Sequence, residues 1–176
     1  MTDTAAYREY VSARLDSLRR TAYLLCGDWH TADDLVSTAL VKLLRHWRRA
    51  HELTNLDGYV RTILLRAWLD ERRRPWRRER SYAVLPDATR QPAANPDPDP
   101  SRVADRLAII GLLAELPPRR RAVLVLRYFC DLSVEETADA LGCSTGTVKS
   151  QAARGLDTLR ARLAQTTITE EDPLWA

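Results

Sequence analysis

A chain of 176 residues makes one domain or two small ones, and 45% hydrophobic content is enough for a core. With 29% charged residues and a longest apolar run of only Leu107–Ala114, broken by Gly111, membrane insertion is not expected. The net charge of +3 is laid out in blocks: +5 over residues 1–80, −2 over 81–101, +3 over 102–165 and −3 over 166–176. Two basic modules separated by an acidic spacer imply two polyanion-binding units on a tether.

The opening MTDTAAYREY has no basic segment followed by an apolar one, so no secretory signal is expected. Cys26, Cys130 and Cys143 are odd in number and form no CxxC pair, which suits free thiols in a reducing cytoplasm. Cys26 and His30 sharing a metal is an alternative to a buried thiol beside a loop histidine.

In chain order, Val11, Leu15, Leu18, Ala22 and Leu25 repeat at 4-3-4-3, predicting a helix over Thr4–Leu25 that needs a partner. Gly27 stops it. Thr31, with Asp34 three residues on, reads as the cap of a second helix to about Arg49. Its apolar set (Leu35, Val36, Ala39, Leu40, Leu43, Leu44, Trp47) is too wide for one stripe; either part of it faces a partner protein or the helix is buried on two sides. A third helix, about Leu56–Arg73, has Leu56, Tyr59, Val60, Ile63, Leu64 and Ala67 inward and ends before Pro75. Arg72, Arg73, Arg74, Arg77, Arg78 and Arg80 cluster at its end around Trp76. With Trp47, Tyr59 and Trp68 they resemble a stacking and phosphate-binding platform for single-stranded nucleic acid, against the alternative that each aromatic is core.

Residues 81–101 hold five of the nine prolines and no apolar periodicity, as a linker does. Its reach is ~25 Å as a coil and ~65 Å as polyproline-like chain. A helix over about Arg102–Leu116 breaks at Pro117-Pro118, and Pro118 opens the next, expected over Arg119–Phe129 with Val123, Leu126 and Phe129 inward.

The strongest signal is Leu132–Arg162. Ser133 with Glu136 forms a capping-box pattern; Val134, Thr137, Ala138 and Leu141 share a face; Gly142 turns the chain. Ser144 caps a second helix with Val148, Ala152, Leu156 and Leu159 inward. Small Ala138 ahead of Gly142, with Val148 after it, is the steric pattern of a helix-turn-helix. The outer face carries Thr145, Thr147, Lys149, Ser150 and Arg154, with no carboxylate until Asp157, as a helix entering a major groove needs. A helical hairpin with a solvated polar face fits the same pattern. Residues 166–176 read as a frayed acidic tail.

The run LPPRRRAVLVLRYFCDLSVEETADALGCSTGTVKSQAARGLDTLR closely resembles region 4 of extracytoplasmic-function sigma factors, the small sigma-70-family subunits of bacterial RNA polymerase. TADDLVSTALVKLLRHW is similar to the polymerase-docking helix of their region 2, and NLDGYVRTILLRAWLDERRR to the promoter-melting helix. The resemblance covers about residues 7–80 and 102–163 and is closest to the actinobacterial SigE-like group; 25 Arg against 2 Lys suits a GC-rich genome.

This resemblance implies an all-α protein of two small helical domains: region 2 over 1–80, a Pro-rich linker over 81–101, region 4 over 102–165, and a tail. It implies a non-enzymatic cytoplasmic factor that binds core polymerase through the β′ clamp helices and β flap. Promoter DNA would be read as duplex at −35 and as single strand at −10, and an anti-sigma factor is a possible further partner. Asp33, Asp34, Leu35 and Leu40 match the docking helix. His51 to Leu56, with Asn55, match the segment that captures a flipped −10 base, while Tyr59, Arg61, Arg66, Arg72, Arg73 and Arg74 follow the melted strand. Ser144, Thr145, Thr147, Lys149, Ser150 and Arg154 match the −35 recognition helix. Ser37, Thr62 and Arg66 depart from the usual Gln, Arg and Asn. The ~55 Å between promoter elements, at roughly 34 Å per turn, asks for an extended linker.

Two other readings use the same residues. A stand-alone helix-turn-helix regulator has no need of the arginine-aromatic block. An enzyme acting on nucleic acid would want a metal-ligand cluster or a Gly-rich phosphate loop, and the sequence has neither, so no cofactor is expected.

Overall fold

The computed structural model describes residues 2–73 and 100–170, with side chains described within 4–73 and 108–165. Every regular element among them is helical: α1 Thr2–Cys26, α2 Trp29–Ala50, α3 Leu56–Arg73, α4 Pro100–Glu115, α5 Pro118–Leu124, α6 Val134–Leu141 and α7 Thr145–Glu170. A π-helical turn, Val125–Phe129, prolongs α5.

Local chemistry fixes most boundaries. At Gly27 the backbone is left-handed, with φ +79°, and α1 ends there. The cap of α2 is Asp28 rather than Thr31; its carboxylate accepts the Thr31 amide at 2.7 Å, so the helix starts three residues earlier than the Thr31 pattern implied. Pro118 stands in the first turn of α5, where its missing N–H costs nothing. α6 has the complete capping box: Ser133 Oγ accepts the Glu136 amide at 3.0 Å, and Glu136 Oε2 accepts the Ser133 amide at 2.7 Å. Gly142 follows it at φ +61°, and Ser144 Oγ accepts the Thr147 amide at 3.2 Å to start α7. That helix runs on to Glu170, so the first part of the predicted tail, residues 166–170, is helical.

The π turn corrects one facing. Its i→i+5 hydrogen bond, Cys130 N–H to Val125 C=O at 3.1 Å, inserts an extra residue. Val123 and Leu126 stay buried, but Phe129 rotates outward to 50% exposed, and Cys130 and Leu132 turn inward instead.

Two helical units result. In the first, α1 and α3 flank α2, whose Leu35, Val36, Ala39, Leu43 and Trp47 are buried against them. Burial on two sides thus explains most of the wide α2 set. Trp47 is core, edge-on to Tyr7 with ring centroids 5.2 Å apart, and Trp68 is 1% exposed. Both are therefore removed from the predicted stacking platform, because neither ring face is open to a base. Trp76, Arg74 and the remaining arginines of that block lie outside the described residues, as does most of the linker.

In the second unit α5 and α6 pack on α7. Gly155 permits the α5–α7 approach: a Cβ there would lie 2.9 Å from Leu124 Cδ1 and 3.1 Å from Arg120 Cγ. The units also pack on each other. One apolar cluster runs from Leu18, Leu25, Leu64 and Trp68 through Leu113, Leu116, Leu124 and Leu132, and α3 rests on α6.

Candidate nucleic-acid and polymerase interfaces

The helix-turn-helix side chains stand where the sequence pattern puts them. Val148 is fully buried with Val123 and Ala138, which turns the opposite side of α7 to solvent. Ser144, Thr145, Lys149, Ser150 and Arg154 are exposed and Thr147 is half-buried. Ser144 is spent largely on the cap, since its oxygen also lies 2.9 Å from Thr147 Oγ1; Ser150 Oγ donates to the Thr147 carbonyl at 3.0 Å. Thr145, Lys149 and Arg154 have no such intramolecular engagement among the described contacts. The first three turns of α7 thus form an open face of hydroxyls and two cations, free of carboxylates.

The α3 side is built differently. His51 closes α2: its backbone N–H donates to the Trp47 carbonyl, and its Nδ1 lies 2.9 Å from the same oxygen, which makes Nδ1 the protonated nitrogen. Its ring stacks on Trp47 at 5.7 Å, leaving one face outward. Asn55 opens α3, its Oδ1 accepting the Gly58 amide at 2.8 Å. The glycine makes room, because a Cβ at position 58 would fall 2.7 Å from the Asn55 side chain. Asn55 Nδ2 then donates to Glu136 Oε1 of α6 at 3.3 Å. Tyr59 and Arg61 are half-buried beside this junction, and the Arg61 charge is felt by both Glu136 and Cys130. Arg66 and Arg73 are exposed, while the Arg72 guanidinium sits 5.7 Å over Trp68.

On α2 the docking set divides. Asp34 is exposed, and Asp33 is held by Arg19 in a two-pronged pair at 2.6 and 3.0 Å. Leu35 is 3% exposed and belongs to the core, so its side chain cannot meet a partner without unfolding the helix bundle. Leu40 is half-buried and packed on the core, and its carbonyl accepts the Tyr7 hydroxyl at 3.0 Å. The open apolar positions are one and four residues further on, Val41 at 51% and Leu44 at 52% exposed. Leu44 stood in the wide apolar set; Val41 lay outside it, and only the helix phase set by Leu43 and Trp47 distinguishes these two from core.

Burial is the leading cause of the shifts at Arg121, Cys26 and Cys130. Arg121 is 3% exposed, donating from Nη1 to the Leu25 carbonyl at 2.8 Å and from Nη2 to the Ala114 carbonyl, with Trp68 5.9 Å beneath it. Burial, and secondarily the nearby Arg72 charge, pull its guanidinium down to about 10, still cationic at neutral pH. Burial pushes the Cys26 thiol up to about 12 and raises Cys130, which lies 3.7 Å from Thr21 Oγ1. His30 is exposed at the start of α2, and among the described residues no group of three His, Cys, Asp or Glu is placed to hold a metal. No described helix is long and apolar enough to cross a membrane.

The comparisons with known proteins now settle the family. The model of Sigma-70 region 2 matches residues 10–78, and that of Sigma-70, region 4 matches residues 106–159. The chain is a sigma-70-family sigma factor of the extracytoplasmic-function, SigE-like type. It is 38% identical to the RNA polymerase sigma-E factor of Streptomyces avermitilis over 89% of this chain and 84% of that one. To the ECF RNA polymerase sigma factor SigE of Mycolicibacterium smegmatis it is 33% identical, over 91% of this chain and 62% of that one. The fold is that of the Bartonella quintana sigma factor RpoE, solved in complex with the anti-sigma factor NepR. The TM-score is 0.71 at 23% identity, covering 90% of this chain and 97% of that one. As a sigma factor the chain binds core RNA polymerase and directs promoter-specific initiation of transcription.

Proposed function

We propose that this sigma factor reads the −35 element with α7 and opens the −10 element with α3, acting as a cytoplasmic, non-catalytic subunit. The observation that carries the reading is the open, carboxylate-free face of α7, seated by a helix-turn-helix whose buried Val148 fixes its rotation. Thr145, Thr147, Lys149, Ser150 and Arg154 face the major groove, with Ser144 contributing chiefly as the cap. His51, Asn55, Tyr59, Arg61 and Arg66 take the −10 strand, and Arg72, Arg73 and Arg74 neutralise its phosphates. Tyr59 is the stacking candidate that remains on this helix, since Trp47 and Trp68 are core.

For polymerase, α2 offers Asp34, Val41 and Leu44 rather than Leu35 or Leu40. Two exposed apolar side chains one turn apart, beside a carboxylate, are suited to the β′ clamp helices; region 4 would meet the β flap. An anti-sigma factor is a further partner, supported by the fold shared with sigma factors solved in such complexes. In the working complex the units 1–80 and 102–165 act apart, joined by the linker 81–101 in an extended form.

The decisive experiment is runoff transcription with core polymerase across a promoter library. Addition of the protein should produce transcripts from a set sharing −35 and −10 sequences; transcripts independent of either element would refute the two-point reading.

A further inference from the structure

A cleft in the first unit belongs neither to α7 nor to α3. Helices α1 and α2 run antiparallel: Tyr23 stacks on Trp29, Arg19 pairs with Asp33, and Tyr7 meets Trp47. The start of α1 is thereby laid beside the end of α2. A cleft of about 430 Å³ opens there, lined by Thr4 of α1 and the stretch 44–49 of α2. That volume lies within the range of small-molecule sites.

The lining is strongly one-sided in charge. It holds Arg45, Arg48, Arg49 and His46, and no carboxylate. Arg45 precedes Arg48 by three residues and Arg49 by four, so like charges are neighbours on the helix surface and repel unless an anion lies among them. The carbonyl end of α2 accounts for cations in its last turn, Arg48 and Arg49, but Arg45 and His46 stand before that turn. The guanidiniums of Arg45 and Arg49 make no hydrogen bond or ion pair among the described residues. Thr4 lies in the first turn of α1, whose unpaired amides add positive potential.

Trp47 supplies a second, independent sign. It is part of the cleft wall and only 5% exposed, yet its indole N–H has no acceptor. The two tyrosines packed on its ring are spent elsewhere, Tyr7 on the Leu40 carbonyl and Tyr10 on Asp57. A buried donor without an acceptor is costly, and folded proteins supply one from water or a ligand.

We propose that this cleft is a binding site for a nucleoside polyphosphate. Arg45 and Arg49 hold its phosphates, the Trp47 indole donates to a phosphate oxygen, and half-exposed Leu44 gives the base an apolar wall. Several cations in one cleft call for more than one negative charge, and the volume exceeds what inorganic phosphate fills. The site depends on neither the −10 nor the −35 reading.

The test uses the full chain, labelled with nitrogen-15, and ATP without magnesium. Five tryptophans give five indole N–H signals, and Trp47→Phe identifies the one that belongs to Trp47. That signal should move saturably with ATP. Arg45→Gln with Arg49→Gln, shown to be folded by circular dichroism, should weaken ATP binding in calorimetry by roughly tenfold or more. Removing the same charge from the second unit, Arg119→Gln with Arg160→Gln, should leave the affinity within about twofold, since exposed charges that far apart are screened. Inorganic tripolyphosphate should bind more weakly than ATP, because it offers Leu44 nothing. An unmoved Trp47 signal at millimolar ATP would overturn the site, and an equal loss in both double variants would reduce it to general polyanion attraction. Tripolyphosphate binding as tightly as ATP would overturn the nucleoside assignment. A mixed-sequence 12-nucleotide single strand that moves the Trp47 signal at lower concentration than ATP, and loses this with Arg45 and Arg49, would give the cleft to nucleic acid instead. Should Trp47→Phe fail to fold, the calorimetric comparison of the two double variants decides alone.

Discussion

The helices α3 and α7 invite comparison. Each begins at a polar cap, Asn55 or Ser144, and each carries hydroxyls and arginines on its outer side. Yet α7 keeps its face in solvent, whereas the start of α3 is tied to Glu136 and its inner residues share a core with the neighbouring unit. A helix whose buried stripe is satisfied within its own unit leaves its polar face free. One whose stripe continues into a second unit surrenders access to gain burial. Availability for nucleic acid is thus a property of the packing and not of the face alone.

The comparison is broken most severely at Trp68, which lies under both units. Trp68→Ala should cost about 3–5 kcal/mol, read as a lowered denaturant midpoint in which both units lose structure together. Separate transitions would mean that the shared core does not couple them. Next in size, the double change Lys149→Ala and Arg154→Ala should weaken −35 duplex binding by the holoenzyme. Each lost base contact is worth about 1–3 kcal/mol, and unchanged promoter affinity would remove the open α7 face from −35 recognition.

Leu44→Glu, on the exposed side of α2, should abolish co-purification with core polymerase while leaving the melting temperature within a few degrees. Leu35→Glu should instead unfold the chain, because it places a carboxylate in the core. Polymerase binding retained by Leu44→Glu would move docking elsewhere.

Gly155→Val sharpens the second unit. Its added methyls meet Leu124 and Arg120, so a loss of about 1–3 kcal/mol is expected in chemical denaturation.

The smallest effect concerns the α6 cap. The Ser133 backbone and side-chain hydrogen bonds hold the Glu136 carboxyl below its usual value of 4.5. A depressed carboxyl stabilises the fold at pH above that value, and the contribution fades as pH falls through its lowered pKa. Glu136→Gln should therefore flatten the acid limb of stability. An identical acid profile would mean that the cap is broken in solution.

Much of this was legible in the sequence because it is local. Apolar spacing placed the helices, and the capping box at Ser133, the glycine turn at Gly142 and the acid-free outer face of α7 are short-range patterns with one good structural solution. The errors were of phase and partner. Thr31 resembled a cap, but Asp28, three residues earlier, takes that role by accepting the Thr31 amide. Phe129 seemed inward until the π turn added a residue to its register. Leu35 matched a docking motif by position, while Val41 and Leu44, six and nine residues along, turned outward.

The sequence by itself determined an all-α chain, several of its helix ends, and the helix-turn-helix, since these follow from backbone hydrogen bonding and periodicity within a few turns. Tertiary structure decided which aromatics became core, which apolar residues of α2 stayed outside, and that Arg121 and Glu136 join the two units. Those outcomes depend on which surfaces meet across up to 109 residues of separation, as Thr21 and Cys130 do. No local pattern encodes such a pairing, because its stabilisation arises only when both surfaces leave water together.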